Sequence, residues 1–196
     1  MSDERWDEGR LAEWWMGESD HADYVEGVDR SGIVVGMLDG GERVLELGCN
    51  VGRNLNVLLE SGWNDLAGME ISPRAWDEMG VHFPELRRAI DFYEGNILSA
   101  TFVFGDGEFD AVFTMAVLMH IHPDSIDGVC AEMARIALQK IIVVESEVLE
   151  GVRFWARDYR EIFEGLGWMQ DEELICSGYS KLGDKFIARR FVNERG

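Results

Sequence analysis

The stretch Glu46-Leu47-Gly48-Cys49-Asn50-Val51-Gly52-Arg53-Asn54 gathers residue types able to hold a charged ligand. An acid precedes two glycines, and the glycines let the backbone approach a bound group closely. Their spacing is GxxxG. Dinucleotide binding uses GxGxxG to bring amides against a pyrophosphate, and the phosphate loop of nucleotide hydrolases uses GxxxxGK[ST]. Neither pattern is present. Glu46 also opposes a phosphate in this turn, because a carboxylate beside phosphates is repulsive. Glu70 lies 22 residues beyond Gly48, where an acid at a strand end can accept both hydroxyls of a ribose. A nucleoside without phosphates, carrying a positive charge near Glu46, satisfies both features.

Those residues need a sheet to hold them. Arg43–Cys49 reads as a buried strand running into the turn, and Val51, Leu55, Leu58 and Leu59 then share one helical face. Leu66–Ser72 is a second strand, with Ser72-Pro73 as N-cap and first helical residue and Trp76, Met79 and Phe83 as the inner stripe. Further strands are expected at Ile90–Ile97, Phe109–Val117 and Lys140–Glu145. A helix carrying Ile126, Val129, Cys130, Met133 and Ile136 precedes the last of these. Asp158 and Glu161 form a capping box, and Gly167 stops that helix. Strand alternating with helix is the pattern of a parallel sheet covered on both faces. The tail differs: Leu174–Tyr179 and Lys185–Phe191 are expected to pair antiparallel across a tight turn at Leu182-Gly183-Asp184. The first 30 residues, with Leu11, Trp14, Trp15 and Tyr24, read as helix and loop.

Composition bounds the function. A chain of 196 residues, 46% apolar with three prolines, fits a single domain: a helical cap over 1–40, a ligand-binding core over 41–146, and an acceptor-side segment with the hairpin over 147–196. The net charge of −20 repels phosphate backbones and anionic lipid, which excludes a duplex-gripping or membrane-surface protein. No apolar run reaches the roughly 18 residues of a membrane span, and the acidic start does not read as a signal peptide. Cys49, Cys130 and Cys176 are odd in number and far apart, which points to a reducing, cytoplasmic setting without disulfides or structural zinc.

The segments ELGCNVGRN, MEIS, EGNI and FDAVFTMAVLMHIHP, in that order and each at the end of an expected strand, resemble the motifs of class I S-adenosylmethionine-dependent methyltransferases. The resemblance runs from about Val44 to Glu145, and the antiparallel tail matches that family's final hairpin. It implies a doubly wound, Rossmann-like α/β sheet of seven strands, five parallel and closed by the hairpin. S-adenosyl-L-methionine fits the nucleoside described above, with S-adenosyl-L-homocysteine as product. By the same resemblance, Glu46, Gly48, Cys49, Asn50, Gly52 and Asn54 wrap the methionine moiety and Glu70 with Ile71 holds the ribose. Asn96 and Ile97 flank the adenine, and Met115 and Ala116 line the transfer site. Two departures stand out: Asn96 replaces a frequent Asp, and Asn50 occupies the place of the usual third glycine. A narrower similarity, in GCNVGRNL, VLMHIHPD and RFWARDY, is to methyltransferases associated with biosynthesis of sialic-acid-like bacterial sugars, although the C-terminal strands differ from that group.

His120 and His122 follow the fourth strand. His120 can act as general base toward a hydroxyl or amine acceptor; alternatively, one histidine shapes the turn before Pro123 and the other is solvated. His120, His122 and Asp124 lack a further histidine or cysteine pair, so no metal is expected. Trp14, Trp15, Phe154 and Trp155 either form an aromatic lid or pack on the sheet. Neighbours on a helix point about 100° apart, so only one of Trp14 and Trp15 can face the site. Arg153 and Arg157 either hold an acidic acceptor or pair with Glu147 and Glu150. The reading is methyl transfer to a small molecule, such as a sugar or metabolite, by a monomer or homodimer. A protein methyltransferase and a non-catalytic cofactor-binding partner subunit are the alternatives. From the charge alone, a labelled duplex followed by fluorescence anisotropy is expected to form no complex tighter than micromolar at physiological ionic strength. A tighter, salt-sensitive complex would contradict it.

Overall fold

The computed structural model describes residues 6–17 and 24–193, so the expectation for the acidic start falls partly outside the described residues. The helices are α1 (Glu8–Gly17), α2 (Val28–Met37), α3 (Arg53–Glu60), α4 (Pro73–His82), α5 (Pro84–Ala89), α6 (Pro123–Ile136) and α7 (Tyr159–Gly165). The strands are β1 (Val44–Leu47), β2 (Leu66–Glu70), β3 (Asp91–Glu94), β4 (Phe109–Met115), β5 (Ala137–Ser146), β6 (Met169–Ile175) and β7 (Phe186–Val192). They form one seven-stranded sheet in the order β3-β2-β1-β4-β5-β7-β6. β1 to β5 pair in parallel, and β7 runs antiparallel to both β5 and β6. This is the doubly wound α/β sheet with a terminal hairpin that the strand pattern implies.

Both faces of the sheet are covered, which explains its near-continuous apolar strands. Successive side chains of β5 alternate: Ile142 and Val144 join the layer under α2, α3 and α4, with Val34, Leu55 and Met79. Ile141 and Val143 join the opposite layer with Val129, Met133, Tyr159 and Phe163. No helix among the described residues is long and apolar enough to cross a membrane.

Several expected boundaries move. The tail hairpin is not tight: β6 starts at Met169 and ends at Ile175, well before Leu182. Its sequence MQDEELI looks too acidic for a strand. It is the sheet's edge, however, and Glu173 and Asp171 pair there with Arg189 and Arg190 of β7. Cross-strand charge replaces the missing apolar signal. Ser72 sits at the N-cap of α4 without a side-chain cap bond, its backbone N–H donating instead to Glu70. Half of the expected capping box forms at α7, where Asp158 accepts from the Glu161 amide at 3.0 Å.

The order of strands reverses between β1 and β4, so the helices that follow them leave on opposite faces. The carboxyl ends of β1, β2 and β4 therefore open into a crevice. Gly52 sets the entry of α3 with φ +80°, and a Cβ added there would lie 2.6 Å from Leu86 Cδ2 and 2.8 Å from Met79 Cε. Gly52→Ala is expected to destabilise the fold by about 1–3 kcal/mol through this overpacking. Urea unfolding should show a lower midpoint at unchanged slope, and an unchanged midpoint would contradict the packing argument.

Candidate functional site

The turn after β1 is built on backbone. The amides of Gly48 and Cys49 both donate to the Met69 carbonyl, at 2.8 and 3.1 Å, which stitches the turn to the end of β2. Gly48 has φ +75°, and a Cβ there would lie 2.6 Å from Val117 Cγ2. Asn50, where the usual glycine is missing, adopts φ 47°. Asparagine tolerates this left-handed region better than most side chains. Glu70 ends β2 and accepts from the Asn50 amide and the Ser72 amide, both at 2.9 Å. One carboxylate thus ties the turn to the next connection.

Glu46 is fully buried beneath the turn. Its Oε1 accepts from Asn54 Nδ2 at 2.6 Å, while Oε2 has no partner. Burial pushes its pKa up to about 8, against the opposing pull of Asn54 and Arg53, and the nearby Glu70 raises it further. Asn54 Oδ1 in turn accepts from Ser31 Oγ at 2.6 Å and Arg53 Nη2 at 3.0 Å. Arg53 also donates to the Tyr24 carbonyl at 3.1 Å, anchoring the segment ahead of α2 over the turn. Its burial lowers the guanidinium pKa to about 10. Arg30, from α2, is a second buried cation, and its Nε has no partner.

At the end of β4, Ala116 takes φ 58°, uncommon for alanine and a local strain of about 1 kcal/mol or more. Glu145, near the end of β5, holds the turn that follows by accepting from the amides of Val117 at 3.0 Å and Met119 at 3.3 Å. His120 closes that turn. Its Nδ1 lies 3.0 Å from the Arg153 carbonyl. A carbonyl only accepts, so Nδ1 carries the proton and Nε2 keeps its lone pair. Burial lowers the pKa to about 4, so the ring is neutral near pH 7. Trp15 meets it edge-on at 5.0 Å, and Phe154 lies tilted at 4.9 Å.

These elements enclose a cleft of about 1190 Å³, its open mouth included. Glu46, Gly48, Cys49, Asn50, Asn54, Glu70, Ile71, Asn96, Ile97, Met115, Ala116 and His120 all line it. Gly52 does not: its Cα faces Leu86 and Met79 of the neighbouring helices. The Asn96 Oδ1 accepts from the Leu98 amide at 3.0 Å, capping the 3-10 turn that follows β3. Arg30, Arg53 and Tyr24 also line the cleft, as do Glu8, Leu11 and Trp15 of α1. Of this second group, sequence reasoning offered only Trp15 to the site, as one of two candidates with Trp14. The spacing of Glu8, Leu11 and Trp15, one stripe of a helix, was the available signal.

The aromatic and basic residues divide. Trp15 faces the cleft; Trp14 points elsewhere, under the Arg153 guanidinium at 4.0 Å. Trp155 is buried. Arg157 donates to the carbonyls of Leu118 and Ile121, and Glu147 pairs with Arg189 rather than with either arginine. His122 is the residue that shapes the turn before Pro123, its Nδ1 accepting from the Asp124 amide at 3.2 Å. Among the described residues, no group of histidine, cysteine and acid is placed to hold a metal.

A parallel sheet reversed between β1 and β4, closed by an antiparallel strand, with a glycine turn and strand-end acids at its crevice, defines the class I S-adenosylmethionine-dependent methyltransferase fold. Residues 44–139 match the family described as a methyltransferase domain. Among solved structures, it is similar to magnesium protoporphyrin IX methyltransferase from Synechocystis PCC 6803, with TM-score 0.74 and 16% identity over 96% of this chain and 100% of that one. It is also similar to 1,6-didemethyltoxoflavin-N1-methyltransferase from Burkholderia thailandensis, with TM-score 0.71 and 15% identity over 94% and 86%. The [4+2]-cyclase SpnF shares the fold, with TM-score 0.71 and 16% identity over 85% and 80%. No curated protein sequence matches.

The buried acid of the turn makes a testable pH signature. Glu46 keeps its proton up to about pH 8 in the folded chain, whereas the unfolded chain releases it near the ordinary carboxylate value. Between those values the unfolded state binds fewer protons, so this group's contribution to stability falls as pH rises, by about 1.4 kcal/mol per unit. Thermal unfolding of ligand-free Glu46→Gln is expected to gain on the wild type steadily from roughly pH 5 to 8. A difference independent of pH would contradict the burial argument.

Proposed function

We propose that the protein transfers the methyl group of S-adenosylmethionine to a small-molecule nucleophile. The supporting observation is a pair of buried, partnerless atoms of opposite character, Glu46 Oε2 and Arg30 Nε, in residues lining one cleft with the Glu70 carboxylate. A ligand with an amino-acid end and a ribose suits that donor set. Glu46, protonated in the ligand-free chain, gives up that proton as it receives the ammonium, and Arg30 takes the carboxylate. Glu70, an acid at a strand end accepting the Asn50 and Ser72 amides, is the residue type and place for a ribose hydroxyl. Asn96 and Ile97 frame the base, and Met115 and Ala116 form the floor where the acceptor meets the methyl carbon.

S-adenosylmethionine supplies a methyl group on a sulfonium centre, already reactive enough for in-line displacement. The residues of the chain contribute position, holding nucleophile and methyl carbon near about 3 Å and aligned. His120 receives the acceptor's proton at Nε2. Its low basicity sets the pH dependence: as far as His120 is concerned, the rate does not rise through the ordinary histidine range but is level from about pH 5.5 upward. α1 roofs the cleft with Leu11 and Trp15, which leaves little entry for a polypeptide and favours a small acceptor over a protein.

Calorimetry is expected to show micromolar binding of S-adenosylmethionine and S-adenosylhomocysteine without added metal. Glu70→Ala should weaken it by roughly 1.5–3 kcal/mol for each charge-assisted bond lost; unchanged affinity would remove Glu70 from the ribose. Once an acceptor is in hand, His120→Ala should lower turnover by about 10²–10⁴ with cofactor affinity within about twofold. Near-wild-type turnover would mean that proximity alone suffices. Cofactor binding with no methyl transfer to any acceptor would favour a non-catalytic partner subunit.

A further inference from the structure

The end of the cleft beyond Ala116 differs in chemistry from the end that holds Glu46. Its walls are Leu11, Ala12 and Trp15 of α1 on one side and Val117, His120, Ile121 and His122 on the other, the His122 ring being tied by Nδ1 to the Asp124 amide and set against Trp155. The arginines of the cleft are engaged on the other side of Ala116, where Arg53 reaches Asn54, the Tyr24 carbonyl and Met115 Sδ and Arg30 reaches the Glu26 carbonyl. The two arginines nearest the acceptor end are turned away. Arg153 lies over Trp14, and Arg157 is spent on backbone carbonyls. Neither lines the cleft. The acid at the rim, Glu8, is already engaged by Ser125 Oγ. An anionic acceptor would therefore lose its water with no arginine or lysine to receive it, and a polyol would leave most of its hydroxyls without partners.

What this end offers to a ring is one aromatic face with, at its centre, the acceptor atom of His120. Phe154, His120 and Trp15 form a contiguous aromatic layer, with centroid separations of 4.9 and 5.0 Å. Because Nδ1 of His120 is committed to the Arg153 carbonyl, Nε2 presents a lone pair and nothing to donate. A ligand group meeting it must bring its own hydrogen. Resting on the methyl-transfer reading above, we propose that the acceptor is an uncharged, flat, largely apolar ring compound whose O–H or N–H donates to His120 Nε2 while the ring lies against Trp15. In the transfer, the acceptor's oxygen or nitrogen forms a bond to the methyl carbon as the sulfonium C–S bond breaks. The sulfur leaves as a neutral thioether, and the acceptor's proton passes to Nε2 and on to water.

The test uses the full chain saturated with S-adenosylhomocysteine and three probes titrated by calorimetry: 2-naphthol, 2-naphthoate and methyl glucoside. The naphthol is expected to bind at least about tenfold more tightly than either of the others. Trp15→Ala should cost the naphthol about tenfold, whereas Trp15→Phe, which keeps a ring in place, should retain most of the affinity. With S-adenosylmethionine in place of the product, mass spectrometry should find methylated naphthol, lost in His120→Gln. Naphthoate or glucoside binding as tightly as naphthol would overturn the proposal, as would naphthol affinity unchanged in Trp15→Ala. Failure of S-adenosylhomocysteine itself to bind would instead bring down the methyl-transfer reading. Its binding with no naphthol bound overturns the acceptor class alone.

Discussion

Three parallel strands end in carboxylates that the fold must keep dry: Glu46 on β1, Glu70 on β2 and Glu145 on β5, all buried. Removing a carboxylate from water is costly unless donors replace the lost hydration. Two of the three are answered by backbone. Glu70 collects the amides of Asn50 and Ser72, and Glu145 those of Val117 and Met119. In doing so they shape the turns after β1, β2 and β4, so the cleft is moulded by the need to solvate these acids internally. Glu46 is left with one donor from Asn54 and one bare oxygen. That deficit is the feature most open to completion by a cationic ligand.

The second organising element is the segment ahead of β1. Arg53 grips it by the Tyr24 and Glu26 carbonyls, while the Trp6 amide donates to the Val152 carbonyl at 2.8 Å on the far side of the cleft. Suspended between these contacts, α1 presents Leu11 and Trp15 to the interior. The roof and His120 are linked through the same region, because the Arg153 carbonyl that fixes the histidine tautomer belongs to the loop whose guanidinium covers Trp14. Roof position and the orientation of the candidate base are thus mechanically coupled.

The fold alone does not determine the chemistry, as the similarity to a [4+2]-cyclase makes plain. What distinguishes one member of such a fold from another is the furnishing of the crevice. Here the strand-end acids and buried arginines occupy one end, and Trp15 with the His120 ring faces the other. The strain at Ala116, with φ 58°, lies at the boundary between them.

Much of this was legible in the chain. Alternation of apolar runs with helical stripes determined a covered parallel sheet, because burial on both faces demands strands such as KIIVVE. The glycine turn, Glu46 and Glu70 were readable because their chemistry is local: an acid at a strand end next to residues that permit φ above zero. The edge strand β6 was not, since its partners, Arg189 and Arg190, lie some 17 residues further on and its acidic composition makes sense only beside them. Nor could the sequence say that Gly52 packs against Leu86 and Met79, or that Arg153 and Arg157 turn away from the cleft. It named Trp14 and Trp15 as rivals without choosing, and it could not assign the low basicity of His120. Those outcomes depend on which groups from distant segments share one dry space, and burial and pairing of that kind exist only once the chain has closed on itself.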